Sequence, residues 1–196
     1  MAVINYSSKE INTKIVYYGP GLGGKTTNVA RIHEITREKI GGKLISFATD
    51  HERTLFFDFL PLNLATINGY NVRFHLYTVP GQTYFTASRR LILRNVDGIV
   101  FVADSQIDRL DANIGSMLDL EANLKEYNML PTSVPFVIQY NKRDLLGAMN
   151  IEILQKELNW YSVPYFLSVA SDGVNVFETF KFVAQEVIKH LRTSQS

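Results

Sequence analysis

Short apolar runs alternate with stretches of helical periodicity along most of this chain. Runs rich in β-branched and aromatic residues predict six strands, at residues 13–18, 64–67, 71–78, 98–103, 135–140 and 165–169. Two stripes of apolar residues at helical spacing predict helices that pack against these strands. The stripes consist of Ile114, Met117, Leu118 and Leu124, and of Val176, Phe180, Val183, Val187 and Leu191.

The dipeptide Asn68-Gly69 separates the second and third predicted strands. These are preferred residues for a two-residue hairpin turn, so this pair should be antiparallel and the others parallel. The pattern predicts one α/β domain over residues 1–196, with a six-stranded, mostly parallel sheet, one antiparallel hairpin and helices on both faces. Such sheets bind ligands at the carboxyl ends of their strands.

A glycine-rich turn that ends in Gly-Lys-Thr directly follows the first predicted strand. In a P-loop of this kind, backbone N–H groups surround a polyphosphate, and the next helix presents its positive end to the anion. Lys25 should reach the β- and γ-phosphates and also serve catalysis, while the Thr26 hydroxyl should ligate Mg²⁺. The predicted nucleotide contacts are Gly19, Gly21, Leu22, Gly23, Gly24, Lys25, Thr26 and Thr27.

A second motif, Asn141-Lys142-Arg143-Asp144, follows the fifth predicted strand. The Asp144 carboxylate can accept from guanine N1–H and the exocyclic amine together, which adenine does not offer. The Lys142 stem can lie along the base, and Asn141 can bond either the backbone near the P-loop or the base edge. Alone, such a tetrapeptide is usually a solvated loop; after a P-loop, the coincidence falls to about one in ten thousand at average residue usage.

Charge and composition narrow the possible partners. The formal net charge of +1 gives no reason to expect nucleic acid or an anionic membrane as a partner. The chain has no cysteine, which excludes disulfides, thiolate metal sites and prenylation. Because no apolar stretch reaches the length of a membrane span, we expect a cytoplasmic protein with no direct membrane anchor.

A charged segment that runs into aromatic residues lies between the first helix and the hairpin, at residues 49–58, and we interpret it as switch I. A threonine here can bind Mg²⁺ and respond to the γ-phosphate; we favour Thr54, with Thr49 as the alternative. Its neighbour Arg53 is a candidate arginine finger supplied in cis. The competing interpretation is a surface arginine paired with Glu52 or Asp58.

Thr78-Val79-Pro80-Gly81-Gln82 follows the third predicted strand and has the features of switch II. The Gly81 N–H can bond the γ-phosphate, and Gln82 can orient the attacking water. Thr78 stands where a Walker-B aspartate is usual, so the metal site lacks a charge there, and Asp58 is a candidate to replace it. After the sixth strand, backbone amides of Ala170 and Ser171 are candidates to read guanine O6.

Taken together, these residues resemble the Ras-like small GTPases, and specifically the bacterial MglA group, which controls cell polarity and gliding or twitching motility. The resemblance covers nearly the whole chain. It is strongest in KIVYYGPGL at residues 14–22, ERTLFFDFLP at 52–61 and RFHLYTVPGQ at 73–82.

The resemblance implies a threonine in place of the Walker-B aspartate, an intrinsic arginine finger at Arg53 and a catalytic glutamine at Gln82. It also implies a homodimeric roadblock-type activating partner of the MglB kind, polarity and motility effectors, and polar recruitment of the motility machinery. The protein itself would be recruited to a cell pole by its partners. GTP, GDP and Mg²⁺ are the expected cofactors. The chain departs from the group at position 175, where Asn replaces the usual Gly.

Two other interpretations stay open at this point. A scaffold that binds GTP structurally and scarcely hydrolyses it would follow if Thr78 left the metal site too weak. A P-loop kinase or ATPase would need a base pocket that does not select guanine, against which the 141–144 motif argues.

Overall fold

The computed structural model describes residues 2–36, 45–46, 58–81 and 86–193. Its strands are β1 (Val3–Asn5), β2 (Glu10–Tyr18), β3 (Ile45–Ser46), β4 (Asp58–Ile67), β5 (Tyr70–Thr78), β6 (Gly98–Asp104), β7 (Phe136–Asn141) and β8 (Tyr165–Leu167). The helices are α1 (Lys25–Thr36), α2 (Thr86–Leu93), α3 (Leu110–Lys125), α4 (Ile151–Leu158) and α5 (Val176–Thr193). Two short 3₁₀ turns lie at Ile107–Arg109 and Pro131–Ser133.

All the described strands form one mixed sheet in the order β3-β4-β5-β2-β6-β7-β8, with β1 paired to the beginning of β2. The pairs from β5 through β2, β6 and β7 to β8 are parallel, whereas β1–β2, β3–β4 and β4–β5 are antiparallel. The α/β fold class is therefore as predicted, but within the described residues the sheet has eight strands where six were predicted, and three antiparallel pairs where one was predicted. The prediction missed β1 and β3, which have only three and two residues and so carry almost no periodic signal.

The predicted hairpin is present between β4 and β5, where Ile67 pairs with Tyr70. Asn68 and Gly69 have φ angles of +50° and +81°, as a turn with two left-handed residues requires. Strand β4 begins six residues earlier than the predicted 64–67, because residues 59–63 also pair with β5. The pairing shifts register between Asn63 and Ala65.

Central strand β2 divides the core into two layers. Ile15 and Tyr17 pack with α1 and α5 on one face, and Val16 and Tyr18 pack with α2, α3 and α4 on the other. All four side chains are fully buried, which is expected for a parallel strand covered by helices on both faces.

The two predicted helical stripes are largely confirmed. In α5, Val176, Phe180, Val183 and Val187 are buried, and Leu191 packs against them. In α3, Met117 and Leu124 are buried together with Leu120, but Leu118 is exposed. The prediction was wrong for Leu118 because the buried face of α3 follows positions 117, 120 and 124.

The parallel strands bring their carboxyl ends to the same edge of the sheet. The turn at residues 19–24 follows β2, residues 79–81 follow β5, Asp104 ends β6, and Asn141 ends β7. Among the residues that the structure describes, no helix combines the length and apolar character needed to cross a bilayer.

Candidate nucleotide-binding site

The turn between β2 and α1 has an irregular backbone. Gly19, Leu22 and Gly24 have φ angles of +136°, +64° and +104°, and the Gly23 amide donates to the Pro20 carbonyl at 3.3 Å. A Cβ on Gly24 would overlap the side-chain amide of Asn141, so only glycine fits there. The predicted loop residues from Gly19 to Gly24 therefore form one tight turn that leads into the first turn of α1.

Lys25 is the first residue of α1, and its side chain bonds back to this turn. It is only 6% exposed, and its Nζ donates to the carbonyls of Gly19 and Pro20 at 2.9 and 2.7 Å. Thr26 and Thr27 are exposed on the same first helical turn. A buried ammonium, a closely approaching backbone and a helix amino terminus fit the phosphate groups of a nucleotide.

Asn141 connects the phosphate-binding turn to the loop after β8. Its Nδ2 donates to the Gly23 carbonyl at 2.8 Å, and its Oδ1 accepts from the Ala170 amide at 2.9 Å and the Ser168 hydroxyl at 3.2 Å. The side chain is almost fully buried. Of the two predicted positions for Asn141, the structure therefore has the one beside the P-loop.

The other predicted base-recognition residues lie around the same loops. Asp144 is exposed, and Lys142 has a left-handed φ of +65° with its Nζ bonded to Asp104 at 2.6 Å. The Ala170 amide donates to Asn141, so Ser171 is the better candidate for guanine O6. Ser171 is fixed from α1, because Arg31 donates to its carbonyl oxygen.

The segment after β5 contacts the phosphate-binding turn directly. A Cβ on Gly81 would lie 2.5 Å from the Gly21 nitrogen and 2.9 Å from the Pro20 carbonyl carbon. The backbones at residues 81 and 21 are therefore in van der Waals contact, and no side chain fits between them. This contact places Gly81 beside the turn that the sequence predicts to hold the phosphates.

The hydroxyl groups that could ligate Mg²⁺ lie on two elements. Thr26 is exposed at the beginning of α1, and Thr78 is buried at the end of β5. Within the described ranges, no cluster of three or more acidic, histidine or cysteine side chains could hold a metal ion. Hydroxyl oxygens suit Mg²⁺, which keeps several of its waters and is shared with substrate phosphates.

Several predicted residues lie outside the described part of the chain. They are Arg53, Thr54 and the alternative Thr49 of switch I, and Gln82 of switch II. The backbone of Asp58 is described as the first residue of β4. The catalytic roles predicted for Arg53 and Gln82 accordingly remain predictions.

The sequence interpretation gave no role in the site to two charged groups that lie beside it. Asp104 has a fully buried carboxylate, and Arg109 donates to the Gly21 carbonyl at 2.8 Å. A polar residue that ends a fully apolar parallel strand was the available signal for Asp104. Arg109 gave none, since it lies in a 3₁₀ turn that carries no periodic pattern.

Arg89 on α2 was missed as well. This buried side chain bonds Asp119 of α3 at 2.7 Å and donates to the Pro80 carbonyl at 3.4 Å, next to Gly81. Asp119 also accepts from the Tyr18 hydroxyl. Burial raises the pKa of Tyr18, and the bond to Asp119 raises it further, so the hydroxyl stays a donor.

Comparison with known proteins identifies the family. A sequence model of the ADP-ribosylation factor family matches residues 2–192. The chain is 56% identical over 192 residues to the mutual gliding-motility protein MglA of Myxococcus xanthus, and the match covers 98% of both chains. The chain belongs to the MglA group of Ras-like small GTPases, within the ADP-ribosylation factor family.

More distant relatives of this MglA-type chain match over similar lengths. It is 24% identical to the Ras-related protein RABG3c of Arabidopsis thaliana, over 94% of this chain and 86% of the relative. It is 25% identical to the ADP-ribosylation factor-like protein 2 of the same plant, over 93% and 91% of the two chains. Family membership confirms the predicted Ras-like P-loop fold and implies guanine-nucleotide binding, generally with Mg²⁺.

Proposed function

We propose that this protein is a GTP-binding molecular switch that hydrolyses GTP to GDP and phosphate within a single G domain over residues 1–196. The observation that carries the proposal is the position of Asn141. One buried side chain joins the phosphate-binding turn at Gly23 to the base-side loop at Ala170. This arrangement suits a ligand that has a guanine base at one end and phosphates at the other.

The residues of the phosphate end have distinct proposed roles. Lys25 supplies positive charge to the β- and γ-phosphates, and the Gly81 amide bonds the γ-phosphate. Gln82 orients the attacking water, and Arg53 stabilises the charge that develops in the transition state. The Gly81–Gly21 contact supports this assignment, because it brings the residue before Gln82 against the P-loop.

Thr26 and Thr54 are the proposed protein ligands of Mg²⁺. The metal supplies charge neutralisation between the β- and γ-phosphates when it is bound. Thr78 ends β5 next to β2 and brings a hydroxyl in place of a carboxylate. We therefore expect weaker metal affinity than in a protein with an aspartate at that position.

The biological role that we propose follows from the resemblance to the M. xanthus protein, whose name records gliding motility. The GTP form would order the switch segments and present aromatic residues of 56–57 and 84–85 to polarity or motility effectors. A homodimeric roadblock-type protein similar to MglB would activate hydrolysis. The protein would be cytoplasmic and recruited to a cell pole by these partners.

Single-turnover GTP hydrolysis with Mg²⁺ tests this proposal. The wild type and Arg53→Ala would each be measured alone and with the roadblock-type partner, with Arg90→Ala as a control at an exposed arginine. We expect the partner to accelerate the wild type and Arg90→Ala but to fail on Arg53→Ala. If GTP binds tightly and the wild type stays inactive with its partner, the protein is a GTP-bound scaffold instead.

Base selectivity has a separate test. GDP and ADP would compete with a fluorescent guanine nucleotide for the wild type and for Asp144→Ala. Displacement by GDP alone is expected for the wild type. Equal displacement by ADP would contradict a guanine site and favour an ATPase or kinase.

A further inference from the structure

Asp104 places a buried negative charge between the two ends of the candidate nucleotide site. Its side chain is fully buried, and its Oδ2 lies 2.6 Å from Lys142 Nζ and 3.8 Å from Arg109 Nε. Its Oδ1 accepts from the backbone and side-chain nitrogens of Gln106 at 3.2 and 3.1 Å. A buried carboxylate is stable only when cations and donors compensate it, so these contacts explain why it can lie here.

The position of Asp104 is fixed by α3. The fully buried Asn113 accepts from the Asp104 amide at 2.9 Å and donates to the Asp104 carbonyl at 2.8 Å. Both polar groups of the Asp104 backbone are thus held by one side chain. The carboxylate therefore acts as a rigid attachment point for the two cations.

Arg109 extends from this attachment point to the phosphate-binding turn. Its Nη2 donates to the Gly21 carbonyl at 2.8 Å, while its Nε faces Asp104. Lys142, on the other side of the carboxylate, belongs to the guanine-recognition motif. A continuous chain of contacts therefore runs from Gly21 through Arg109 and Asp104 to Lys142.

This chain of contacts is separate from the connection made by Asn141. Asn141 bonds the turn at Gly23 and the loop at Ala170, whereas Arg109 bonds the turn at Gly21. The phosphate end and the base end are thus connected twice, by different side chains at different backbone carbonyls. Opening the turn to release a nucleotide would have to break both connections.

We propose that Arg109 and Asp104 are positioning residues that hold the phosphate-binding turn against the guanine-recognition motif and slow the release of bound guanine nucleotide. The inference rests on the proposed function, since it concerns the same site. Arg109 acts on the nucleotide through the Gly21 carbonyl, and Asp104 acts by orienting Arg109 and Lys142. Loss of the Arg109–Gly21 bond therefore removes one of the two connections that hold the turn.

Dissociation of a fluorescent GDP analogue, followed after a chase with excess GDP, tests the inference. Arg109→Ala should release the analogue about tenfold faster, as expected for the loss of one charge-assisted hydrogen bond. Its association rate should match the wild type, and its unfolding by urea without nucleotide should change little, because Arg109 is one-third exposed and the closer cation Lys142 still compensates Asp104. A residue with a merely structural role would change the unfolding and leave dissociation alone.

Two further variants and a control sharpen the result. Arg109→Lys should also release faster than the wild type, because one ammonium cannot reach both the Gly21 carbonyl and Asp104 as the guanidinium does. Asp104→Asn should also release the analogue faster than the wild type. In the double variant with Arg109→Ala, the increase in the release rate should be smaller than the product of the two single increases. Arg73→Ala is the matched control. Arg73 bonds Glu10 at 2.6 Å near the amino ends of β5 and β2, away from the carboxyl ends where the nucleotide site lies.

The outcomes separate this inference from the proposed function. Wild-type release rates in Arg109→Ala and Arg109→Lys, with normal binding by the wild type, would overturn the positioning role alone. A wild type that does not bind the fluorescent GDP at all would overturn the proposed function together with this inference. Faster release in the Arg109 variants and an unchanged Arg73→Ala would support it.

Discussion

Removal of the Asn141 side chain should separate the two ends of the nucleotide site. Asn141→Ala deletes the donor to the Gly23 carbonyl and the acceptor for the Ala170 amide and the Ser168 hydroxyl. All these groups lie in a region where Asn141 and Ser168 are almost fully buried. The substitution therefore leaves at least one buried donor and one buried acceptor without their partners.

The size of the effect follows from these lost bonds. A buried polar group that loses its partner costs about 1–3 kcal/mol, so two such groups predict a loss of about 2–6 kcal/mol. Water that enters the space left by the side chain would reduce the cost, which favours a value of about 3 kcal/mol. If half of this destabilisation affects only the GDP-bound protein, the affinity for GDP should fall about tenfold.

Urea unfolding with and without GDP measures both parts. The free energy of unfolding without nucleotide gives the structural cost, and the added stability at a fixed GDP concentration reports the dissociation constant. Asn150→Ala is the control, because Asn150 caps α4 by accepting from the Glu152 amide at 2.7 Å. That variant should lose about 1 kcal/mol of stability and keep the wild-type response to GDP.

A second variant tests whether the donor to Gly23 matters. Asn141→Asp keeps the shape and the acceptor for Ala170, but it cannot donate to the Gly23 carbonyl and sets a negative charge beside it. It should weaken GDP binding at least as much as Asn141→Ala. If Asn141→Ala loses less than about 0.5 kcal/mol and both variants bind GDP like the wild type, Asn141 does not join the two loops in solution.

Three other substitutions have expected outcomes. Arg89→Ala breaks a mostly buried ion pair and should cost about 3 kcal/mol in urea unfolding, whereas exposed Arg90→Ala should cost less than about 1 kcal/mol; equal losses would contradict this. Gly81→Ala forces a Cβ into the P-loop backbone and should weaken binding of a GTP analogue about tenfold. Its control is Gly115→Ala on α3, where a Cβ meets open space and should add about 0.5–1 kcal/mol of stability. Burial holds the pKa of His75 below its ordinary value of 6.5, so the unfolded chain binds a proton first and stability should fall as the pH drops below about 6.5. His75→Gln should flatten that decline in urea unfolding measured between about pH 7 and 5, and an unchanged slope would assign it to other groups.

The sequence was informative where a local pattern and the fold require the same thing. Asn68-Gly69 predicted a hairpin that the structure contains, because few residues accept two successive left-handed conformations. The glycine-rich turn and the Asn141 motif could both be placed at the carboxyl ends of strands, because each directly follows an apolar run of strand length. Their chemistry depends on short segments, so a single chain reveals it.

Contacts between distant segments could not be predicted in this way. The Arg109–Gly21 bond joins residues 88 positions apart, and the Tyr18–Asp119 bond joins residues 101 positions apart. Nothing in the sequence next to Arg109 or Tyr18 indicates the partner of either residue. The exposed Leu118 gives the same lesson, since an apolar residue one position from the buried face of a helix still fits the helical pattern.

The shared position of Asn141 has a consequence for the design of competing ligands. The Asn141 side chain belongs to one recognition loop and is bonded to the other. The site should therefore bind the two ends of a nucleotide cooperatively, as it would a bivalent ligand. Guanosine alone or a polyphosphate alone would order only half of this arrangement, and would lack the high effective concentration that a covalent ribose connection provides. A compound intended to displace the nucleotide would therefore have to span both loops, since fragments optimised separately for either end would give little guide to the affinity of the joined molecule.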